Sequence, residues 1–372
     1  AAARHTYDQV IMMVGNRENP VSVEAEFYAA VCAYELMNKD AAGLFTNYIY
    51  NHPENSYVKL SWFYLGNIYY REKGYRKAIK AYPNTSEKVL SDEQLAEYHF
   101  KFGYSHFMQD DYTEARKHFM AIKDYDNKYT RPAIYYYSHI AYIEKQYEVA
   151  LAGFKSLLTD ESFGGIAPYY IAQIYYLQNK YDELIDFAPP MLENPNVKRQ
   201  AEMSRMLGDA YYAKKRYSDA VPYLEKYMET TSKAITRDDY YQLGYAYYSL
   251  KNWGKAVENF EKVSSKEDSV NQNTSYHLAD CYLQTGNKKY ALNAFHEAYR
   301  LSFNKLISED ALFNYARLSY ELDFHPYNGA VRALEQYLDD YPNSDRAEEA
   351  KELMVDLLMS TGNYKDAIEM ID

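Results

Sequence analysis

The stretch "WFYLGNIYYREKGYRKAI", Trp62 to Ile79, decides how the whole chain is read. A small residue, Gly66, sits among aromatics. A polar turn follows, then Tyr75, then Ala78, twelve residues after the glycine. The same order returns in "FGYSHFMQDDYTEAR" from Phe102, "LGDAYYAKKRYSDAV" from Leu207 and "LGYAYYSLKNWGKAV" from Leu243. The small residue recurs as Ala29, Gly66, Gly103, Ser138, Ala172, Gly208, Gly244, Ala279 and Ala316, with Val355 a poor tenth, at spacings of 34 to 39 residues. Twelve residues beyond stand Ala41, Ala78, Ala115, Ala150, Leu184, Ala220, Ala256, Ala291 and Ala367. The ninth unit alone breaks step, with Ala330 fourteen residues on, across the insert-like "DFHPYNG". Self-similarity at this period marks a repeat array, in which each unit buries its apolar face only by stacking on its neighbours.

Composition narrows the rest. The 372 residues are 25% charged and 47% hydrophobic, the balance of an ordered globular chain. A net charge of −12 argues against binding to a phosphate backbone. Cys32 and Cys281 are the only cysteines, with no metal-type spacing and no disulfide framework. No apolar run approaches the roughly 18–20 residues of a membrane-spanning helix. The opening "AAARHTYDQV" has no initiator Met and no basic-then-apolar leader, which says nothing about destination.

The unit resembles the tetratricopeptide repeat, a helix–turn–helix of about 34 residues with a W-x2-L-G-x2-Y half, then A-x3-F, then Pro. Trp62, Leu65, Gly66 and Tyr69 supply the first half; Ala256 with Phe260 and Ala291 with Phe295 supply the second; Pro53 and Pro342 stand at the closing position. The resemblance implies an all-α fold, a right-handed α-solenoid superhelix of about nine to ten helix-turn-helix repeats forming one array over 1–372. Residues 1–20 read as the remnant second helix of an incomplete repeat, 21–164 as repeats 1–4, 165–200 as an irregular fifth, and 201–372 as repeats 6–10. His5 to Val14, and an uncovered Ile368 and Ile371 at the other end, predict a segment of a longer protein.

Positions are numbered with the small residue as 8 and the second-helix alanine as 20. Position 11 (Tyr69, Tyr175, Tyr211, Tyr247, Tyr282) and position 17 (Tyr75, Tyr112, Tyr147, Tyr181, Tyr217, Trp253, Tyr364) are predicted to pack. Positions 5, 9 and 12 share one face of the first helix. In the family that face looks into a concave groove. The candidate partner-binding residues are therefore Phe63, Asn67, Tyr70, Phe100, Tyr104, Phe107, Tyr135, His139, Tyr142, Tyr169, Gln173, Tyr176, Arg205, Asp209, Tyr212, Tyr241, Tyr245 and Tyr248. Two readings stay open for these rails: rings packed on each other across repeats, or a recognition surface of amphipathic rings. Arg205 either anchors a carboxylate or pairs with Glu202. Tyr170, beside the face at position 6, has no assignment. Acids at positions 2 (Glu202, Asp238, Asp310, Glu349) and 9 (Asp209, Asp280, Asp356) favour basic or hydroxyl-rich groups, or are a solvated face.

Pro83 and Pro189 fall inside second helices and should end or kink them. The three-proline "FAPPMLENPNV" and the glycine-rich "SFGGIAPYY", on either side of the fifth repeat, predict a bend or a shift in superhelix pitch near 160–200. The nine histidines form no i+3 or i+4 metal pair, and His99 and His106 read as core substitutes. No nucleophile, zinc-protease or phosphate-loop motif occurs. The expectation is a non-enzyme without cofactor or metal, binding a protein or peptide segment and no nucleic acid, with any membrane link through an anchor outside the segment. The phrases "YPNSDRAEEAKELM" and "HPENSYVKLSWFYLGNIYY" are similar to the Tyr-rich subgroup from bacterial cell envelopes, of the outer-membrane assembly lipoprotein and Tol–Pal coordination types. That resemblance implies a periplasmic or outer-membrane-associated scaffold, with a cytoplasmic address still open. The alternative is a glycan- or peptidoglycan-binding module, weakened by the scarcity of tryptophan.

Overall fold

The structure, a computed structural model, describes residues 1–15, 19–263, 265–322 and 329–371. Most of the insert-like "DFHPYNG" therefore lies outside the described residues. Among those described, every regular element is helical. The chain packs as two compact units, Ala1–Ile174 with Asn196–Lys198, and Tyr175–Pro195 with Arg199–Asp372.

The first unit holds α1 (Ala2–Val14), α2 (Pro20–Glu35), α3 (Ala41–Asn51), α4 (Val58–Arg71), α5 (Tyr75–Ala81), α6 (Asp92–Phe107), α7 (Tyr112–Ile122), α8 (Thr130–Ile143) and α9 (Tyr147–Ser156). The boundary falls inside α10 (Ala167–Leu177). The second unit holds α11 (Tyr181–Leu192), α12 (Gln200–Ala213), α13 (Tyr217–Thr230), α14 (Arg237–Ser249), α15 (Trp253–Phe260), α16 (Ser269–Gln284), α17 (Lys288–Leu301), α18 (Lys305–Glu321), α19 (Gly329–Asp340), α20 (Ala347–Ser360) and α21 (Tyr364–Ile371). From α2 onward the even-numbered helices are first helices of repeats and the odd-numbered ones second helices. Within each unit first helices also touch first helices, α2–α4–α6–α8 and α14–α16–α18–α20.

The small residues do what the repeat demands. A Cβ on Gly66 would stand 2.5 Å from the Tyr82 ring, one on Gly208 2.7 Å from Leu224, and one on Gly244 2.8 Å from Phe260. The two helices of a pair approach so closely that only hydrogen fits. The position-20 residues Ala41, Ala78, Ala115, Ala150, Leu184, Ala220, Ala256, Ala291, Ala330 and Ala367 are all buried.

Pro83 acts as predicted: α5 stops at Ala81, and a 3-10 turn, Tyr82–Asn84, takes over. Pro189 does not. Helix α11 runs through Pro189 and Pro190 to Leu192. Leu184, Ala188 and Leu192 lie four residues apart and all are buried. That anchored stripe outweighs two missing N–H donors near the helix end. Around the fifth repeat the glycine turn is tied down: Gly165 C=O accepts from Lys198 N–H at 2.7 Å, and a Cβ on Gly164 would lie 2.6 Å from the Asp160 carbonyl oxygen.

Candidate functional site: the first-helix face

Each candidate residue has a defined place. Phe63 and Asn67 are corrections. Both are 1% exposed, so neither faces a partner. Asn67 Oδ1 accepts from the Tyr82 hydroxyl at 2.9 Å, because Tyr82 packs against Gly66 in the place that Leu224 and Phe260 hold against Gly208 and Gly244. The other sixteen are half-buried: Tyr70, Phe100, Tyr104, Phe107, Tyr135, His139, Tyr142, Tyr169, Gln173, Tyr176, Arg205, Asp209, Tyr212, Tyr241, Tyr245 and Tyr248.

What half-buries them is a rule that repeats. The position-12 ring packs on the position-17 aromatic of its own repeat, as in Tyr70–Tyr75 (6.1 Å), Phe107–Tyr112 (5.7 Å), Tyr212–Tyr217 (5.4 Å) and Tyr248–Trp253 (5.5 Å between centroids). Position 17 is thus a half-buried turn position, and Tyr364 there is exposed. The same position-12 residue then reaches position 9 of the next repeat. Where that residue is a ring, rings meet: Tyr70–Tyr104 at 5.6 Å, Phe107–His139 at 5.7 Å, Tyr212–Tyr245 at 6.1 Å. Where it is aspartate, the phenol donates a hydrogen bond: Tyr176 to Asp209 (3.0 Å), Tyr248 to Asp280 (2.7 Å), Tyr320 to Asp356 (2.6 Å). Tyr276 at position 5 donates likewise to Asp310 at position 2 of the following repeat, at 2.7 Å. Ring packing across repeats is therefore present, and Asp209, Asp280, Asp310 and Asp356 of the acidic rows serve as acceptors for the neighbouring repeat.

Position 6 completes the rule and was not singled out from sequence. Tyr136 sits 5.0 Å from Tyr104 and 5.1 Å from Phe107; Tyr170 sits 5.3 Å from His139 and 5.6 Å from Tyr142; His277 sits 5.0 Å from Tyr245 and 4.7 Å from Tyr248. Each wedges between positions 9 and 12 of the preceding repeat. Tyr170 is thereby assigned: it also stacks on Phe154 at 4.7 Å. The available signal was its place three residues before position 9, on the side of the helix that meets the earlier repeat.

Electrostatics follow from this packing. Burial lowers the pKa of His139, and takes His277 down to about 4. Burial raises the Asp209 carboxyl, against the hydrogen bonds from Gln242 and Tyr176. Arg205 takes Asp239 rather than Glu202 as its partner within the chain. Its guanidinium lies 3.2 Å from Asp239 and over the Tyr227 ring at 5.2 Å. His99 and His106 do join the core, with His118 that the sequence reading passed over. His99 Nδ1 and His118 Nδ1 are 3.0 Å apart, and the His118 ring packs at a tilt on Phe102, 4.3 Å between centroids. Among the described residues, no group of three or more His, Cys, Asp or Glu is placed to hold a metal ion, and no helix is long and apolar enough to cross a membrane.

The family model for the tetratricopeptide repeat matches residues 310–344, and one described as anaphase-promoting complex, cyclosome, subunit 3 matches residues 213–298. The chain carries tetratricopeptide repeats. No curated protein matches its sequence. Among solved structures this repeat protein is similar to YrrB, described as a TPR protein with an unusual peptide-binding site, at 20% identity and TM-score 0.41, covering 52% of this chain and 96% of that one. It is also similar to a tetratricopeptide repeat protein from Parabacteroides merdae at 16% identity and TM-score 0.39, covering 72% and 99%. A third likeness is Naa15/Naa10 bound to HypK-THB, at 12% identity and TM-score 0.42, covering 100% and 63%. None of these likenesses decides what the repeats of this chain bind.

Proposed function

We propose that this chain is a non-enzymatic scaffold that binds a partner protein or peptide segment along the first-helix face of its repeats. One observation supports it above others. Within each unit the face carries a row of tyrosines, each with one side packed on a neighbouring repeat and the rest left half-open, as at Tyr70 and Tyr142 in the first and Tyr212 and Tyr245 in the second. Rings held this way lose little conformational freedom on binding and offer large contact area. The resemblance of "YPNSDRAEEAKELM" to cell-envelope repeat proteins supports a periplasmic or outer-membrane-associated address and a role in envelope assembly.

The test is affinity capture from envelope and cytoplasmic fractions with wild type and with Tyr142→Leu and Tyr212→Leu variants of unchanged helicity. The expected result is a defined protein recovered by wild type from the envelope fraction and lost from both variants. Recovery from the cytoplasmic fraction alone sinks the envelope role. An unaltered catch by both variants sinks the proposed face, and a glycan-array signal abolished by them would replace the protein partner with a sugar.

A further inference from the structure

The two units differ in charge far more than in fold. The first carries 19 Lys and Arg against 21 Asp and Glu, a net of −2; the second carries 22 against 32, a net of −10. The difference extends to the first-helix face. In the first unit, Glu97 is ion-paired with Lys101, and Lys101 Nζ lies over the Tyr70 ring at 5.5 Å. The acid there already has its cation. In the second unit the arginines on the face are spent locally, Arg205 on Asp239 and Arg317 on Glu321 at 3.9 Å. Asp209 and Asp280 are instead held by neutral donors: Tyr176 and Gln242 for the first, Tyr248 and Gln284 for the second. Hydrogen bonds from phenols and amides orient a carboxylate without cancelling its charge.

We propose that the first-helix face of the second unit takes a basic segment of a partner polypeptide, with Lys or Arg side chains laid over Tyr245 and Tyr248 toward Asp209 and Asp280. This rests on the protein-binding reading given above. The phenol protons of Tyr176 and Tyr248 already point at the carboxylates, so the hydroxyl oxygens present lone pairs outward. An ammonium or guanidinium finds ring faces, hydroxyl acceptors and carboxylates together, Asp280 held by neutral hydrogen-bond donors and Asp209 with Arg205 nearby but directly paired to Asp239. An acidic or phosphorylated segment meets Arg205 and Arg317 already paired, among the described residues of this face. Burial disfavours the charged form of Asp209, so a cation arriving beside it relieves a cost already present in the folded protein.

The experiment measures fluorescence-polarisation binding of a twelve-residue Arg/Leu peptide and its Glu/Leu counterpart to the full chain, at low and moderate salt. Three proteins are compared: wild type, Asp209→Asn with Asp280→Asn, and a control carrying Glu229→Gln with Glu335→Gln on exposed positions elsewhere in the second unit. Asparagine keeps an oxygen for the tyrosine hydroxyl, so the packing survives and only charge is lost. The Arg/Leu peptide should bind at least about tenfold tighter than the Glu/Leu peptide. The Asp209/Asp280 variant should lose about five- to tenfold of that affinity, with the control near wild type. Equal losses in both variants would mean bulk charge alone attracts the peptide and would overturn the proposal, as would equal binding of the two peptides or none by either. A partner later found on this tyrosine face through a neutral or acidic segment overturns the basic-segment assignment and leaves the scaffold reading standing.

Discussion

Lys73, Asp110, Lys145, Asn179, Lys215 and Lys251 all hold φ between 54° and 59°, at the same turn of successive repeats. Gly286 and Gly362 occupy that turn in later repeats. The next residue closes the helix by bonding back across the turn, as Arg216 N–H does to Tyr211 C=O and Asn252 N–H to Tyr247 C=O, each at 2.9 Å. A left-handed residue with a Cβ is strained, and glycine there is not. Lys251→Gly should therefore raise stability by about 0.5–1 kcal/mol in urea titration, and no gain would show that the lysine side chain compensates. Gly208→Ala should do the opposite, costing about 1–3 kcal/mol, because its Cβ would lie 2.7 Å from Leu224. Tyr248→Phe removes the phenol that donates to Asp280 and should cost about 1–2 kcal/mol by the same measurement; an unchanged midpoint would mean water replaces the hydroxyl freely.

At the scale of elements, proline shows how far local rules carry. Pro83 ends α5, Pro189 and Pro190 are carried inside α11, and Pro222 sits exposed in the middle of α13. The local chemistry is the same each time: one donor lost and one carbonyl crowded. The outcome depends on whether buried residues on both sides hold the helix. Around Pro222 they do, since Ala220, Val221, Leu224 and Tyr227 are all buried. Replacing Pro222 by Ala should restore the missing bond without disturbing that core and stabilise the chain by about 1–3 kcal/mol, read as a raised unfolding midpoint. No increase would imply that the second helix is already bent to suit the ring. The inter-repeat pattern of positions 6, 9 and 12 also belongs to this scale. Positions 9 and 12 could be named from spacing, but the residue that fills the gap between them comes from the next repeat, some 30 residues away, as Tyr136 and Tyr170 do.

For the whole molecule, acid is the informative perturbation, because both units bury imidazole. Burial, together with His99 and His106 nearby, depresses His118 to about 4, and burial does the same to His277. The folded chain thus releases protons that the unfolded chain keeps. Stability is complete above about pH 6.5, falls as the pH drops from there toward 4, and the loss reaches at most about 3 kcal/mol per histidine. Thermal midpoints measured between pH 7.5 and 4.5 should fall on acidification, and His277→Phe, whose ring fits among Tyr245, Tyr248 and Phe260, should flatten that slope. A midpoint that does not move with pH would rule out neutral buried imidazoles. The repeat register, the helix pairs and the close-packed Gly66, Gly208 and Gly244 were all determined by the sequence itself, since each follows from a local pattern that recurs at a fixed period. The fate of Phe63 and Asn67, the partner of Arg205, the persistence of α11 through two prolines and the tyrosine-to-aspartate bonds were decided only by tertiary structure. Burial and hydrogen bonding are set by what the neighbouring repeat brings against a residue, and that pairing is invisible to a pattern read one repeat at a time.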